Sequence, residues 1–170
     1  MKVLVAYMSS TGNTKKVAEA IYGEIPSEKE IKPIADVQDV SGYDLVFLGF
    51  PVHQEGPDKK AKQMMERHCT KGRKVALFIT HAAPEDEPEL PEHLAKFKQA
   101  AAASDLVGLF DCQGELAGGV KLIMKISPSK KLRRQAKTDN SKGQPDGARL
   151  DRARNFARDI MSRAGSDGNV

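Results

Sequence analysis

The sequence predicts a doubly wound α/β domain, in which helices cover both faces of a parallel sheet. Four strongly apolar runs indicate the sheet: Lys2–Met8, Asp44–Val52, Arg73–His81 and Asp105–Gln113. Their apolar residues are nearly continuous rather than alternating, as is typical of parallel strands that are buried on both faces. Helical patterns lie between most of these runs. Strands that alternate with helices predict this fold class, because each parallel connection needs a crossover.

A weaker apolar run, Lys29–Ile34, predicts an edge strand, and the link Ala35–Tyr43 is too short for a full helix. Each helical segment has one apolar face at the spacing of an α-helix. These faces are Val17, Ala18, Ile21 and Ile25; Ala61, Met64, Met65 and His68; Leu90, Leu94, Phe97 and Ala101; and Leu150, Ala153, Phe156, Ala157, Ile160 and Met161.

The composition predicts one globular domain over residues 1–170, since this length buries a sizeable core. The two cysteines are too few for a disulfide framework. No stretch has the unbroken apolar character of a membrane helix, and the chain opens directly into a predicted strand rather than a signal sequence. We therefore expect a cytoplasmic protein that does not insert into membranes.

The positive charge is concentrated in one segment. Residues 114–148 contain eight Lys and Arg against three Asp and Glu, a net charge of +5, whereas the rest of the chain has −1. We interpret this segment as a basic insertion after the fifth strand. Its first part, LAGGVKLIMKI, can pack, but the composition of SPSKKLRRQAKTDNSKGQPDG favours mobility. The insertion is either a lid beside a ligand or an inert surface loop.

Ligands of doubly wound sheets bind beyond the carboxyl ends of the strands, where the strand order reverses. The loops that follow the strong strands are Ser9–Thr14, Pro51–Gly56, His81–Pro84 and the segment from Gly114 onward. We expect these four loops to lie at one edge of the sheet, although they are far apart in the sequence.

The first loop consists of small hydrogen-bonding residues: Ser9, Ser10, Thr11, Gly12, Asn13 and Thr14. The helix that follows directs free N–H groups to the same place, which attracts an anion. The loop lacks the patterns of nucleoside-triphosphate and dinucleotide sites, so a phosphate monoester is the expected ligand. The alternative is a polar loop that only caps the helix.

These residues resemble the flavodoxin family. SSTGNTKKVAEAI is similar to the loop that holds the phosphate of flavin mononucleotide (FMN), and YDLVFLGFPV is similar to the family's third strand and following loop. SKGQPDGARLDRARNFARDI is similar to the last helical region of small flavodoxin-like proteins. The resemblance implies a flavodoxin-like five-stranded sheet in the order 2-1-3-4-5, with helices on both faces.

The resemblance also implies which residues bind FMN. Ser9, Ser10, Thr11, Gly12, Asn13 and Thr14 would hold the phosphate, Pro51, Val52 and His53 would run beside the flavin ring, and Thr80, His81 and Ala82 would approach it from the next loop. Flavodoxins commonly stack the ring between tryptophan and tyrosine. This chain has no tryptophan, and His53 and His81 stand at roughly those positions.

The resemblance implies an FMN-binding carrier that passes electrons between redox partners, with no catalytic residue of its own. Two alternatives stay open, namely an FMN-dependent reductase acting on NAD(P)H or a small anionic substrate, and a binding module without flavin. The basic insertion predicts a redox protein with an acidic face or a small anionic substrate as partner. We expect neither nucleic acid, since the insertion has no aromatic residues to stack on bases, nor a metal site.

Overall fold

The computed structural model describes residues 1–166 and has a parallel five-stranded sheet at its centre. The strands are β1 (Lys2–Tyr7), β2 (Glu28–Pro33), β3 (Leu45–Pro51), β4 (Lys74–His81) and β5 (Asp105–Gln113). They pair in the order β2-β1-β3-β4-β5, so β1 lies between β2 and β3. The doubly wound α/β fold with the order 2-1-3-4-5 is confirmed.

Six α-helices complete the described part of the chain: α1 (Asn13–Glu24), α2 (Lys59–His68), α3 (Leu90–Ala100), α4 (Gly118–Ile126), α5 (Lys130–Thr138) and α6 (Gly147–Ser166). Between β2 and β3 there is only a short 3-10 helix, Ile34–Asp36, as the length of this link predicted. None of the helices within residues 1–166 combines the length and apolar character needed to cross a membrane.

The sheet separates two hydrophobic cores. Successive side chains of a strand point to opposite faces, so Val3 and Val5 pack on the side of α1 and α6, whereas Leu4 and Ala6 pack on the side of α2 and α3. The predicted apolar faces of α1, α2, α3 and α6 supply most of the helical side of these cores. Both faces of the sheet are thus covered, which explains why the central strands have almost no polar residues.

The basic insertion contains two helices, α4 and α5, that the sequence analysis did not predict. Helix α5, Lys130–Thr138, lies within the part whose composition favours mobility. The hydroxyl of Ser129 caps α5 by accepting a hydrogen bond from the N–H of Leu132 at 3.4 Å. Helices α4 and α5 pack against one another. We call residues 118–138 the α4–α5 hairpin.

Candidate functional site

The first three loops meet at the carboxyl edge of the sheet. The hydroxyls of Thr14, on the first turn of α1, and Thr80, near the end of β4, are hydrogen-bonded at 2.8 Å and buried. The N–H of Val52, just after β3, donates to the carbonyl of Thr80 at 2.7 Å. Thr80 therefore fixes the loops after β1 and β3 against the end of β4.

The fourth loop joins the same edge through Gly114 and Glu115. The N–H of Gly114 donates to the carbonyl of His81, and the side-chain amide of Asn13 donates to the carbonyl of Glu115, both at 2.8 Å. A Cβ atom on Gly114 would lie only 2.8–2.9 Å from atoms of the Asn13 side chain, so glycine is required for this close approach. All four predicted loops thus form one connected site.

The loop Ser9–Thr14 leaves the first turn of α1 without a side-chain cap. Gly12, at the N-cap position, has a left-handed backbone with φ of 92°, and no side chain caps the helix there. Its N–H donates to the hydroxyl of Ser9 at 3.1 Å. The N–H groups of Asn13, Thr14 and Lys15 find no acceptor within residues 1–166. N–H groups at such a helix start can be bonded by water or by an anion.

The side chains of this loop differ in exposure. Ser10 and Thr11 are exposed, Ser9 and Asn13 are half-buried, and Thr14 is buried. The exposed hydroxyls are free to meet an anion from solvent. The Thr14 hydroxyl lies beneath them and is hydrogen-bonded to Thr80, so its first contribution is to hold the loop in position.

The second loop forms a tight turn at the edge of the site. Its first residues, Pro51 and Val52, are half-buried, whereas His53 is exposed. The backbone groups of His53 and Gly56 bond to each other in both directions, at 2.9 and 3.2 Å. Gln54 between them has a φ of 56°, which is uncommon for a residue other than glycine. The turn therefore keeps the imidazole of His53 at the surface, beside the half-buried pair.

The imidazole of His81 faces the interior rather than solvent. Its side chain is 1% exposed; Nδ1 lies 2.8 Å from the carbonyl oxygen of Ala83, and Nε2 lies 3.2 Å from a carboxylate oxygen of Asp111 on β5. Both ring nitrogens are thus used within the protein. His81 can border a ligand through its backbone, together with the half-buried Ala82, but its ring is a structural link between β4 and β5.

Gln113, the last residue of β5, is a central residue of the site that the sequence analysis missed. Its buried side-chain amide donates to the carbonyl of Ala82 at 3.1 Å and to the side chain of Asn140 at 2.8 Å. It therefore connects the loop after β4 to the far end of the insertion. The only signal for this role in the sequence is a polar residue directly after a buried strand position.

The two ends of the insertion are hydrogen-bonded to each other. Glu115 donates its N–H to the carbonyl of Gln144 at 3.0 Å and accepts the N–H of Gly143 on its carboxylate at 3.0 Å. The N–H of Leu116 donates to the hydroxyl of the buried Ser141 at 2.8 Å. The hairpin therefore projects from a well-connected base rather than from a loose loop.

An ion pair fixes α4 to this base. Lys121 Nζ lies 2.5 Å from Asp139 Oδ2, and the Asp139 side chain is only 7% exposed. Burial alone would raise the pKa of this carboxyl, but Lys121 and Ser141 outweigh burial and hold the pKa below its usual value. Asp139 is therefore ionised at neutral pH, and Lys121 turns one particular face of α4 toward the base.

A second charge cluster joins α6 to the loop after β4. Glu85 accepts hydrogen bonds from Arg149 Nε at 2.8 Å and from Arg152 at 2.5 Å. Burial opposes ionisation of Glu85, but the two arginines and the N–H of Gln113 lower the pKa of its carboxyl below the usual value. Glu85 thus stays charged, and its cluster supports the rim of the site from the side of α6.

The two cysteines are not reactive groups of this site. Cys112 is buried in the core beneath α1 and α6, and burial raises the pKa of its thiol to about 12. Cys69 is also buried, and its thiol has a pKa of about 11 for the same reason. Both stay protonated at neutral pH, as small buried residues do. Residues 1–166 contain no group of His, Cys, Asp and Glu that could hold a metal ion.

A family model described as a flavodoxin domain matches residues 4–158, which is most of the chain. The chain belongs to the flavodoxin family. The flavodoxin-like domain-containing protein BilS of Clostridioides difficile (strain CD3) is 37% identical over 175 residues, an alignment that covers 96% of this chain and 98% of that protein.

Solved flavodoxin structures have the same fold. Oxidised flavodoxin 2 from Bacillus cereus superposes with a TM-score of 0.65 at 19% identity, covering 96% of this chain and 99% of that chain. A flavoprotein from Lactobacillus acidophilus NCFM, solved in complex with FMN, gives a TM-score of 0.54 at 23% identity and covers 65% of this chain and 92% of that chain. At these identities the likeness extends to the fold alone.

Proposed function

We propose that this flavodoxin-family protein binds FMN and carries electrons between redox partners. The observation that supports this function best is the open first turn of α1, where Gly12 bends the chain and the N–H groups of Asn13, Thr14 and Lys15 lack acceptors within residues 1–166. Such N–H groups and the helix dipole together favour a phosphate. When bound, FMN would supply the electron chemistry, since flavin accepts electrons singly or in pairs.

The phosphate end fits FMN through neutral donors. The exposed hydroxyls of Ser10 and Thr11 and the N–H groups of the first turn would bind the phosphate oxygens, and Asn13 and Ser9 would support the loop beside it. The roles of these residues, and of Thr14 beneath them, are part of the proposal. Hydrogen bonds to a charged group each contribute about 1.5–3 kcal/mol, so several of them can bind a phosphate without a paired lysine.

The ring end would be bordered by the backbone and small side chains of two loops. Pro51, Val52 and His53 lie on one of them, and Thr80, His81 and Ala82 on the other. Neither loop has a Trp, Tyr or Phe to stack on the flavin, and the ring of His81 is engaged with Asp111. The flavin would thus be held mainly through its phosphate, with one edge accessible to a partner.

Membership of the flavodoxin family favours a carrier over a reductase, and Cys112 and His81 offer no free group to the ring. Cys112 is a buried, protonated thiol, and His81 is engaged in hydrogen bonds inside the protein. As partner, the net charge of residues 114–148, taken alone, favours a redox protein with an acidic face or a small anionic substrate.

The proposal is tested by calorimetric titration of the flavin-free protein with FMN, riboflavin and FAD. We expect FMN to bind at least tenfold more tightly than riboflavin, which lacks the phosphate, since one charged hydrogen bond is worth about that factor. FAD should bind more weakly than FMN, because its phosphate continues into an adenosine. Equal affinities for FMN and riboflavin would show that the loop Ser9–Thr14 does not bind phosphate.

A second measurement separates the function classes. The FMN-loaded protein is mixed with NAD(P)H and with quinone or dye acceptors in steady state. A carrier is expected to show little turnover with NAD(P)H, whereas a reductase sustains it. No binding of any flavin in the titration would instead identify a binding module that has kept the fold.

A further inference from the structure

Helix α4 exposes its apolar face and turns its other face toward the protein. Val120, Leu122, Ile123 and Ile126 are 47–77% exposed, and no residue of α4 is buried. At about 100° per residue these four side chains lie within an arc of about 160°. The opposite arc holds the half-buried Lys121, which is bound to Asp139, and the exposed Lys125, about 60° from the edge of the apolar arc. A surface helix normally has the reverse arrangement.

The charge of the hairpin is of one sign. Residues 118–138 contain seven Lys and Arg and no Asp or Glu. Lys121 pairs with Asp139, Lys131 pairs with Glu89 at the start of α3, and Arg133 donates to backbone carbonyls. Four cations have no ion pair within residues 1–166: Lys125, Lys130, Arg134 and Lys137. The hairpin thus combines exposed aliphatic side chains with unpaired positive charge.

We propose that the α4–α5 hairpin docks on the surface of an anionic lipid bilayer. The aliphatic side chains of α4 would enter the boundary of the acyl chains, and the long lysine and arginine side chains of the hairpin would reach the negatively charged headgroups. Neither the aliphatic side chains nor the positive charge alone gives stable attachment to a membrane, but the two act together. At nine residues, α4 is about 13.5 Å long and would lie in the plane of the membrane rather than cross it.

The side chains of the exposed apolar arc of α4 favour a lipid bilayer over a second copy of this chain or an acidic redox protein. Hot spots of protein interfaces are enriched in Trp, Tyr and Arg, whereas the arc has only Val, Leu and Ile, with no polar group to fix the register of a partner. A second copy of this chain would bring unpaired cations close to those of the first. An acidic redox protein satisfies the charge but needs a matching apolar groove, whereas a bilayer accepts aliphatic side chains anywhere on its surface.

The test is co-sedimentation of the full chain, with and without FMN, with vesicles of phosphatidylcholine or of phosphatidylcholine with about one-third phosphatidylglycerol. We expect binding to the anionic vesicles that weakens as salt rises, because the Debye length falls from about 10 Å at 0.1 M to about 3 Å at 1 M. The inference does not rest on the proposed FMN function, since binding is measured without electron transfer.

Two sets of variants separate charge from apolar contact. K125Q/K130Q/R134Q/K137Q should lower the affinity for anionic vesicles at least tenfold, since each cation near such a surface contributes about fivefold. The matched control K59Q/K60Q/K62Q/K98Q removes four exposed lysines of α2 and α3 and should bind like wild type. I123S/I126S keeps every charge and should also bind at least tenfold more weakly.

Because the chain has no tryptophan, I126W provides a single fluorescent reporter. Its emission should shift to the blue on anionic vesicles, while that of A95W, at an exposed position of α3, should not. Absence of vesicle binding at low salt, or binding that I123S/I126S leaves unchanged, would overturn the proposal. So would a dimer in sedimentation velocity that I123S/I126S abolishes without any vesicle binding, since the hairpin would then be an interface between copies.

Discussion

Thr11 and Thr14 lie three residues apart in one loop, but they contribute to different properties. Thr11 is exposed, whereas the hydroxyl of Thr14 is buried against Thr80. We expect T11A to lower the affinity for FMN about ten- to a hundredfold, the value of one hydrogen bond to a charged group, and to change stability by less than about 0.5 kcal/mol. Isothermal titration and urea unfolding measure the two effects.

Replacing Thr14 should affect stability first. T14V leaves the buried Thr80 hydroxyl without its partner, which costs about 1–3 kcal/mol of unfolding free energy, and it loosens the loop that would bind FMN. T14S keeps a hydroxyl and is the matched control. Unfolding of the flavin-free proteins in urea should rank wild type and T14S above T14V. Equal stability of all three would contradict a structural role for the Thr14–Thr80 pair.

Gly114 is the residue at which the insertion meets the loop Ser9–Thr14. In G114A the new Cβ would lie 2.8–2.9 Å from atoms of Asn13, so this side chain must move away from Glu115. We expect weaker FMN binding, by about tenfold if one charged hydrogen bond is lost. G119A on α4 is a matched control, because a Cβ there meets nothing within 4 Å. An unchanged FMN affinity in G114A would argue against Asn13 as part of the site.

At the scale of elements, Lys121 determines how α4 is oriented. K121M removes the cation that faces the buried carboxylate of Asp139, and an unpaired buried charge is costly. We expect faster hydrogen exchange in residues 115–126, with little change in the sheet. K125M, which replaces an unpaired lysine on the same helix, should exchange like wild type. Acidification should reproduce the effect in wild type only when the pH falls to the lowered pKa of Asp139, where its charge is lost.

The sequence predicted the strands and helices that have a continuous or strongly periodic pattern of apolar residues. The apolar runs of β1, β3, β4 and β5 and the apolar faces of α1, α2, α3 and α6 were read correctly, because burial between two layers leaves a clear pattern. Neither α4 nor α5 was predicted, and the many charges of α5 resemble those of a mobile segment. The Ser129 cap was the available signal for its start.

The site could be predicted less completely than the fold. The loops themselves were found, since topology alone brings the carboxyl ends of parallel strands together. The direction of the His81 imidazole depends on two features of the sheet. Strand β4 continues through residue 81, and Asp111 lies on β5 two residues before Gln113, the residue paired with His81. The contacts of Gln113 with Ala82 and Asn140 depend on the return path of the insertion. Neither is encoded in a local pattern.

For the whole molecule, His68 is expected to make stability depend on pH. Burial, with a smaller effect from Arg67, lowers the pKa of its imidazole, and its Nε2 has no hydrogen-bond partner within residues 1–166. An unfolded histidine titrates near 6.5. Below this pH the unfolded chain takes up a proton that the folded chain does not bind, so the free energy of unfolding decreases as the pH falls.

The prediction is checked by urea unfolding of wild type and H68M at about pH 7.5 and pH 5.5. H68M replaces the imidazole with an apolar side chain on the face of α2 that already contains Met64 and Met65, so it should lose less stability on acidification. H93Q removes a less buried histidine and should follow wild type. Parallel curves for wild type and H68M would mean that His68 is not the group responsible.

Asn13 contacts the base of the insertion and also lies in the first turn of α1, so it connects these two parts of the protein. Its amide holds the carbonyl of Glu115 at the base of the insertion, while its backbone N–H lies in the open first turn of α1. If FMN changes the affinity of the hairpin for a bilayer by some factor through this contact, the bilayer must change the affinity for FMN by the same factor. FMN binding and membrane binding would then regulate each other. G114A should reduce the factor by which FMN changes the affinity for membranes more than it reduces that affinity itself.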